Sequence, residues 1–412
     1  MATSCVDEAL DPAPLPPCYD RPTLATDDLC TLLPDGCATP AGPLPALSEA
    51  VTVVPKDTMP AGVMSQAAHN NLDIAWHDGR LFFAFRTAPS HFADPGVFLY
   101  VVSTTDQEHW VLETSITLGK DLREPRLLSL GDRLFLYFAR LGEIKLTFRP
   151  EAMMMSEQLA GCQWTPPEEI SPTGEPGFIP WRARTIDGVG YLTGYVGGAD
   201  IYDATHGGIE VSWLETRDGR TFEPVVPGQP VVLTGGVSET DWAFLEDGSL
   251  IAVARNEAGD EDGFGSKICT AEADALGAWS CLPDPKKYDS PLVFTHRGEP
   301  YLIGRRQVAN DGLFDLGMTE LPPDDRAIEY QVQYWQSPKR CALWKIDPEQ
   351  RTVSHVLDLP SNGDTCFASI LPLSDQQYLV YNYTSPLDDP ELSWIDGQMG
   401  ETYIYRATLT LP

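Results

Sequence analysis

The sequence predicts an all-β chain folded as a six-bladed propeller, and three observations carry the prediction. A paired-strand pattern with a polar start recurs six times; its copies end at a nearly constant interval; and 34 Gly and 36 Pro among 412 residues suit short strands joined by tight turns. The copies read NNLDIAWHDGRLFFAFR (70–86), LREPRLLSLGDRLFLYFAR (122–140), PWRARTIDGVGYLTGY (180–195), ETDWAFLEDGSLIAVAR (239–255), YDSPLVFTHRGEPYLIGR (288–305) and DTCFASILPLSDQQYLVYNY (364–383). Their last residues are separated by 54, 55, 60, 50 and 78 positions, and the first four steps each suit one four-stranded blade. The longer last step predicts an insertion within 308–335, where DLGMTELPPDDRAIEY breaks the strand rhythm.

Residues 1–48 are rich in Pro, Asp and Leu and hold four of the nine cysteines, so they read as an irregular arm pinned by disulfides, with the propeller running from 49 to 412. Ala2-Thr3-Ser4-Cys5 loosely resembles the end of a bacterial lipoprotein signal, which makes Cys5 a candidate lipid anchor and leaves eight cysteines for four bridges. Cys269 with Cys281 and Cys341 with Cys366 are the expected pairs on neighbouring strands. The turns TTDQEHW (104–110) and TRDGRTF (216–222) mark outer hairpins. A segment near Ala50–Pro55 is expected to close the ring by pairing with TYIYRATLTL, which removes a free sheet edge.

A net charge of −32 excludes a phosphate backbone or an anionic lipid surface as partner. No apolar run reaches the length of a membrane span. The chain is expected to be an extracytoplasmic monomer. No Cys/His cluster has zinc spacing, and no cofactor fingerprint is present. Asp260-Glu261-Asp262-Gly263 reads as a solvated acidic turn, with calcium as the alternative.

Propeller topology gathers the starts of the inner strands and the ends of the second strands on one face. The starts bring His69, Asn71, Asp73, Asp121, Arg123, Glu124, Trp181, Arg182, Glu239, Asp241, Asp289 and Asp364. The ends bring Arg86, Arg140, Tyr195, Arg255, Arg305 and Tyr383. Carboxylates and guanidinium groups around one funnel offer acid/base chemistry and anion binding together.

SETDWAFLEDGSLIAVARNE (238–257) resembles the sialidase stretch that runs Asn-Glu, apolar strand, Asp-Gly turn, apolar strand, Ala-Arg-Asn. Both outer turns resemble shortened Asp-boxes of that superfamily. Leu-Arg-Glu-Pro in blade two, Trp-Arg in blade three, Ser-Glu in blade four and Gly-Asp-Thr in blade six are similar to bacterial sialidase-like propellers of unassigned specificity. The resemblance implies that Glu239 matches the glutamate that polarises the nucleophile, that Arg255 matches one of three carboxylate-gripping arginines, and that Asp94 lies near the general acid. The first-blade Arg-Ile-Pro is absent, with Asn71 to Asp73 in its place. No tyrosine stands in Asp364–Phe367, where the family's nucleophile belongs.

A glycosidase needs one carboxyl to protonate the leaving oxygen and another as nucleophile or base. Asp94, Glu239 and Asp364 are the catalytic candidates. Arg86, Arg123, Glu124, Trp181, Arg182, Asp241, Arg255, Asp289 and Arg305 are the substrate-binding candidates, with a sialidase-like exo-glycosidase acting on an extracellular glycan, one with an acidic sugar included, as the leading function. The alternatives are a non-catalytic glycan-binding propeller and a polysaccharide lyase using His69 with Tyr195 or Tyr383.

Overall fold

The computed structural model describes residues 23–24, 28–37, 42–145, 148–197 and 208–412. Six antiparallel sheets stand around one axis. Their inner strands are Ala68–His77, Asp121–Leu130, Ile179–Ile186, Val237–Phe244, Asp289–His296 and Ser369–Pro372. Each pairs with the next strand in the sequence, and so outward through the blade. The hairpin turns at Asp78-Gly79 and Gly131 place their residues at positive φ, as tight two-strand connections require.

Burial is concentrated between blades. Period-two alternation sends one set of side chains to each flank of a sheet, and neighbouring blades interdigitate them. Phe83, Phe85, Leu379 and Tyr381 join blades one and six. Trp213 and Trp242 meet edge-to-face at 4.9 Å between blades three and four.

Ring closure follows the expected route. Val51–Val54 pairs antiparallel with the last strand, Tyr403–Thr410, and Ala46–Leu47 pairs farther along it. The chain ends are thereby stitched into one sheet. Cys30 bonds Cys37, Cys269 bonds Cys281 across facing strand positions, and Cys341 bonds Cys366. Cys162 is also in a disulfide. Cys5 and Cys18 lie outside the described residues.

The two outer turns share one construction. Asp106 Oδ1 accepts from the backbone N–H groups of Glu108 and His109, and Asp218 Oδ1 accepts from those of Arg220 and Thr221. Gly219 takes φ +72° against the ring of Phe135. At the same place in the other turn Gln107 takes φ +59°, because its side chain has work that glycine cannot do: it donates to Leu32 O and accepts from Tyr381 Oη. The departure from the Asp-box pattern thus fastens residues of the N-terminal segment to the ring.

The insertion expected within 308–335 contains a helix, α1 (Pro323–Gln336), between the second and third strands of blade five. A second short helix, α2 (Trp394–Met399), occupies the equivalent connection of blade six. Phe264, Phe314, Tyr330, Tyr334 and Trp394 pack together and bind the two helices to the ring. Tyr334 and Trp394 are in this way brought to the axial face.

Candidate active site

Every full inner strand carries a register shift near its start: at 70/72, 123/126, 180/182, 237/240 and 289/292. Asn71, Glu124 and Ser290 sit in these bulges at φ between +46° and +54°, and Cys366 takes φ +77° just before the sixth strand. Bulges turn side chains out of the regular alternation, and side chains from successive blades converge on the axis as a result.

Below the bulges the channel is filled. Trp181 is 1% exposed and donates Nε1–H to Pro291 O; Arg182 reaches Pro291 O at 3.0 Å and Ala368 O at 3.5 Å. Arg126 lies between the rings of Trp181 and Phe367, 4.9 and 4.4 Å from their centroids. Asp73 accepts from Leu127 N and from Ser369 Oγ, and Asp241 accepts from Val293 N while pairing with Arg182 and Arg184. Carboxylates of blades one and four therefore bond the backbone of the next blade. Trp181, Arg182 and Asp241, expected to touch substrate, form the floor and brace the ring instead, because buried carbonyls and amides there require partners.

Above the floor lies a dense charge cluster. Arg255 meets Glu239 at 2.8 Å, Glu257 at 2.9 Å and Asp289 at 3.1 Å. Burial alone would lower its pKa, but Asp289, Glu239 and Glu257 hold the guanidinium firmly protonated. Glu239 is 8% exposed, and its second oxygen accepts from Ser290 N at 2.7 Å. Burial pushes its carboxyl up, opposed chiefly by Arg255. Arg305 donates to Thr365 O, Tyr334 Oη, Cys366 O and Ser290 Oγ, and stacks over Trp394.

Glu124 is placed differently. Its Oε2 makes no hydrogen bond among the described residues, and Arg126 stands at 3.6 Å. Burial lifts the carboxyl to about 7, with Arg126 opposing and Glu239 adding to the rise. The two glutamates therefore differ in kind. Burial raises both carboxyls, but both oxygens of Glu239 face donors that favour its charge, whereas Glu124 faces only Arg126 among the described residues and is raised to about 7.

Asp364 does not reach the basin as a free carboxylate. It is fully buried; Oδ1 accepts from Tyr383 Oη and Trp394 Nε1, and Oδ2 lies 2.6 Å from His91 Nδ1. Burial pushes the carboxyl up, yet His91, Arg305 and Tyr383 together hold it below the ordinary range. For His91 burial pulls the pKa down more than Asp364 raises it, which favours the neutral ring; Nδ1 stands 2.6 Å from Asp364 Oδ2 and 3.0 Å from Asn70 Nδ2, and a proton on Nδ1 serves the buried carboxylate.

Arg86 is fully buried against Asp121, Asn70 Oδ1 and the carbonyls of Ser90 and Phe92. Arg123 pairs with Asp121 and donates to His91 O. Arg140 turns outward to Glu151 and Glu169. Asp94 Oδ1 caps its own turn by accepting from Gly96 N. His69 is 1% exposed, and burial pushes its pKa down to about 4. With Tyr195 and Tyr383 also buried, and raised by burial, the three groups named for a lyase are enclosed and electrically neutral. The acidic turn at 260–263 is filled from within, since Lys267 Nζ bonds Asp260 and Asp262.

Sequence reasoning missed His91, Glu257, Tyr334 and Arg126. His91 lies in the connection that returns to the axial face, three residues before Asp94, and its type alone is the signal. Tyr334 was hidden because the insertion was read only as an interruption.

No family model matches the sequence, and no curated protein matches it either. Solved structures do match its fold. A Dyadobacter fermentans protein of unknown function aligns at TM-score 0.61 with 13% identity, over 90% of this chain and all of that one. Trypanosoma rangeli sialidase aligns at 0.56 with 12% identity, over 90% of this chain but 60% of its own. A Penicillium chrysogenum α-L-arabinanase, solved with arabinobiose, aligns at 0.50 with 12% identity, over 88% and 98%. The fold is the sialidase-like six-bladed propeller.

Proposed function

We propose that this chain is a glycoside hydrolase in which Glu124 protonates the leaving oxygen and Glu239 is the ionised partner, nucleophile or base. One observation carries the reading: two carboxyls raised by burial share the axial basin, but Glu239 accepts from Arg255 and Ser290 N, which favour its charge, while the nearest cation to Glu124 is Arg126 at 3.6 Å. The acid role moves from Asp94, which is spent on a turn, to Glu124. Asp364 becomes the positioning residue that orients His91, whose Nε2 accepts from a sugar hydroxyl. Sialidase and arabinanase neighbours support the reaction class at the level of fold.

Disulfides in three separate parts of the chain support an extracytoplasmic location, because such bonds persist in oxidising compartments. Among the described residues no helix is long and apolar enough to cross a membrane. The ring is proposed to act as a monomer, anchored through Cys5.

Release of reducing sugar from a glycan panel tests the proposal. Glu124→Gln and Glu239→Gln are each expected to lower turnover by about 10²-fold or more while the chain still unfolds cooperatively. Glycan binding without turnover in the parent chain would establish the non-catalytic alternative instead.

A further inference from the structure

We infer that the basin accepts an uncharged sugar and rejects an acidic one, which reverses the expectation drawn from its arginines. The inference rests on reading the basin as a glycan site. A sugar carboxylate is gripped by accessible cations that have donors to spare; Arg126, whose nitrogens make no hydrogen bond among the described residues, is fully buried between Trp181 and Phe367 and faces Glu124, and the arginines above it are spent internally. Arg255 faces three carboxylates of its own protein within 3.1 Å. Arg305 is filled by a hydroxyl pair and two backbone carbonyls. Arg86 and Arg123 share Asp121, and buried Lys287 donates to Asn256 O.

The groups with capacity left point the other way. The Glu124 side chain is partly exposed, with Oε2 turned to Arg126 at 3.6 Å, and the neutral His91 ring keeps a lone pair on Nε2 once Nδ1–H is given to Asp364. Both suit sugar hydroxyls. An anionic sugar approaching Arg255 would have to enter beside Glu239, Glu257 and Asp289, where like charges repel it.

Glu124→Gln, which preserves the charge of a protonated carboxyl, gives a form for binding measurements without turnover. Its affinity is measured by calorimetry for neutral oligosaccharides of gluco, galacto, manno, xylo and arabino configuration, and for sialyllactose and trigalacturonate. Binding to at least one neutral glycan, with both anionic glycans weaker by about 100-fold or more, is the expected result. An anionic glycan bound as tightly as the best neutral one overturns the inference, and so does the absence of binding to every neutral glycan.

The same set separates the two readings. Wild-type cleavage of sialyllactose that disappears in Glu124→Gln would end the neutral-sugar inference while leaving hydrolysis intact. A neutral glycan bound but never cleaved by the wild type would end hydrolysis and leave the substrate class standing.

Discussion

His91 Nδ1 and Asp364 Oδ2 stand 2.6 Å apart although their strands and loops are separated by most of the ring in sequence. The contact joins a blade-one loop to the last blade, and it fixes which nitrogen of His91 carries the proton. Removing the ring leaves a buried carboxylate short of a partner. His91→Ala is therefore expected to cost about 1–3 kcal/mol at pH 7.5, read from urea midpoints.

Its pH dependence has a definite sign. The folded pKa of His91 lies below the ordinary value, so the unfolded chain takes up a proton first as the solution is acidified. The stability this neutral ring contributes is present above about 6.5 and is lost as pH falls below that value. His91→Ala is expected to lose less stability than the parent chain between pH 7.5 and 5.5. An equal loss in both would show that the ring is charged in the folded state.

Glu124 works in the opposite direction. Its folded pKa is raised to about 7, so the stabilising protonated form is present at low pH and is lost as pH rises through that value. Glu124→Gln is expected to be more stable than the parent at pH 8, by up to about 3 kcal/mol relative to their difference at pH 4.5. Thermal midpoints at the two pH values check this; a difference that does not move with pH would place an ionised carboxylate at position 124.

Arg182 spans the axis to two backbone carbonyls and pairs with Asp241. Arg182→Met keeps the bulk but strands these acceptors, and a loss of about 3–5 kcal/mol is expected in denaturant titration. Intact stability with abolished glycan binding would instead make Arg182 a ligand-contacting group.

Gly219 and Gln107 occupy the same turn position with opposite requirements. Gly219→Ala is expected to cost at least ~1 kcal/mol, because a Cβ would stand 2.2 Å from the ring of Phe135 at a positive φ. Gln107→Gly relieves its backbone but loses the bonds to Leu32 O and Tyr381 Oη, and a net destabilisation is expected. Thermal midpoints of both variants decide the matter; a stabilised Gln107→Gly would mean that the side chain does not fasten the N-terminal segment.

Blade number, hairpin positions, ring closure and two disulfide pairs were legible in the sequence, because each follows from local periodicity and turn chemistry that the fold repeats. The strand starts also told which face would gather charge. They could not tell how far each side chain would rise, since Glu124 lies inside the bulge of its strand whereas Arg182 resumes pairing, with Thr193, just past the bulge of its own. Trp181 and Arg182 read as a sugar platform in one dimension and became the floor in three. His91 required a contact with Asp364 across 273 positions, which no local pattern encodes.

Dependence on the leaving group tests the role of Glu124 most directly. Aryl glycosides of one accepted neutral sugar are compared, bearing 2,4-dinitrophenolate, which departs without protonation, and an unactivated alcohol, which does not. Glu124→Gln is expected to keep turnover of the activated substrate within about 10-fold of wild type and to lose the unactivated one by about 10³-fold, while Asp94→Asn affects neither. The reverse pattern, with Asp94→Asn selectively losing the unactivated substrate and Glu124→Gln indifferent to the leaving group, would contradict the assignment of Glu124 as the acid.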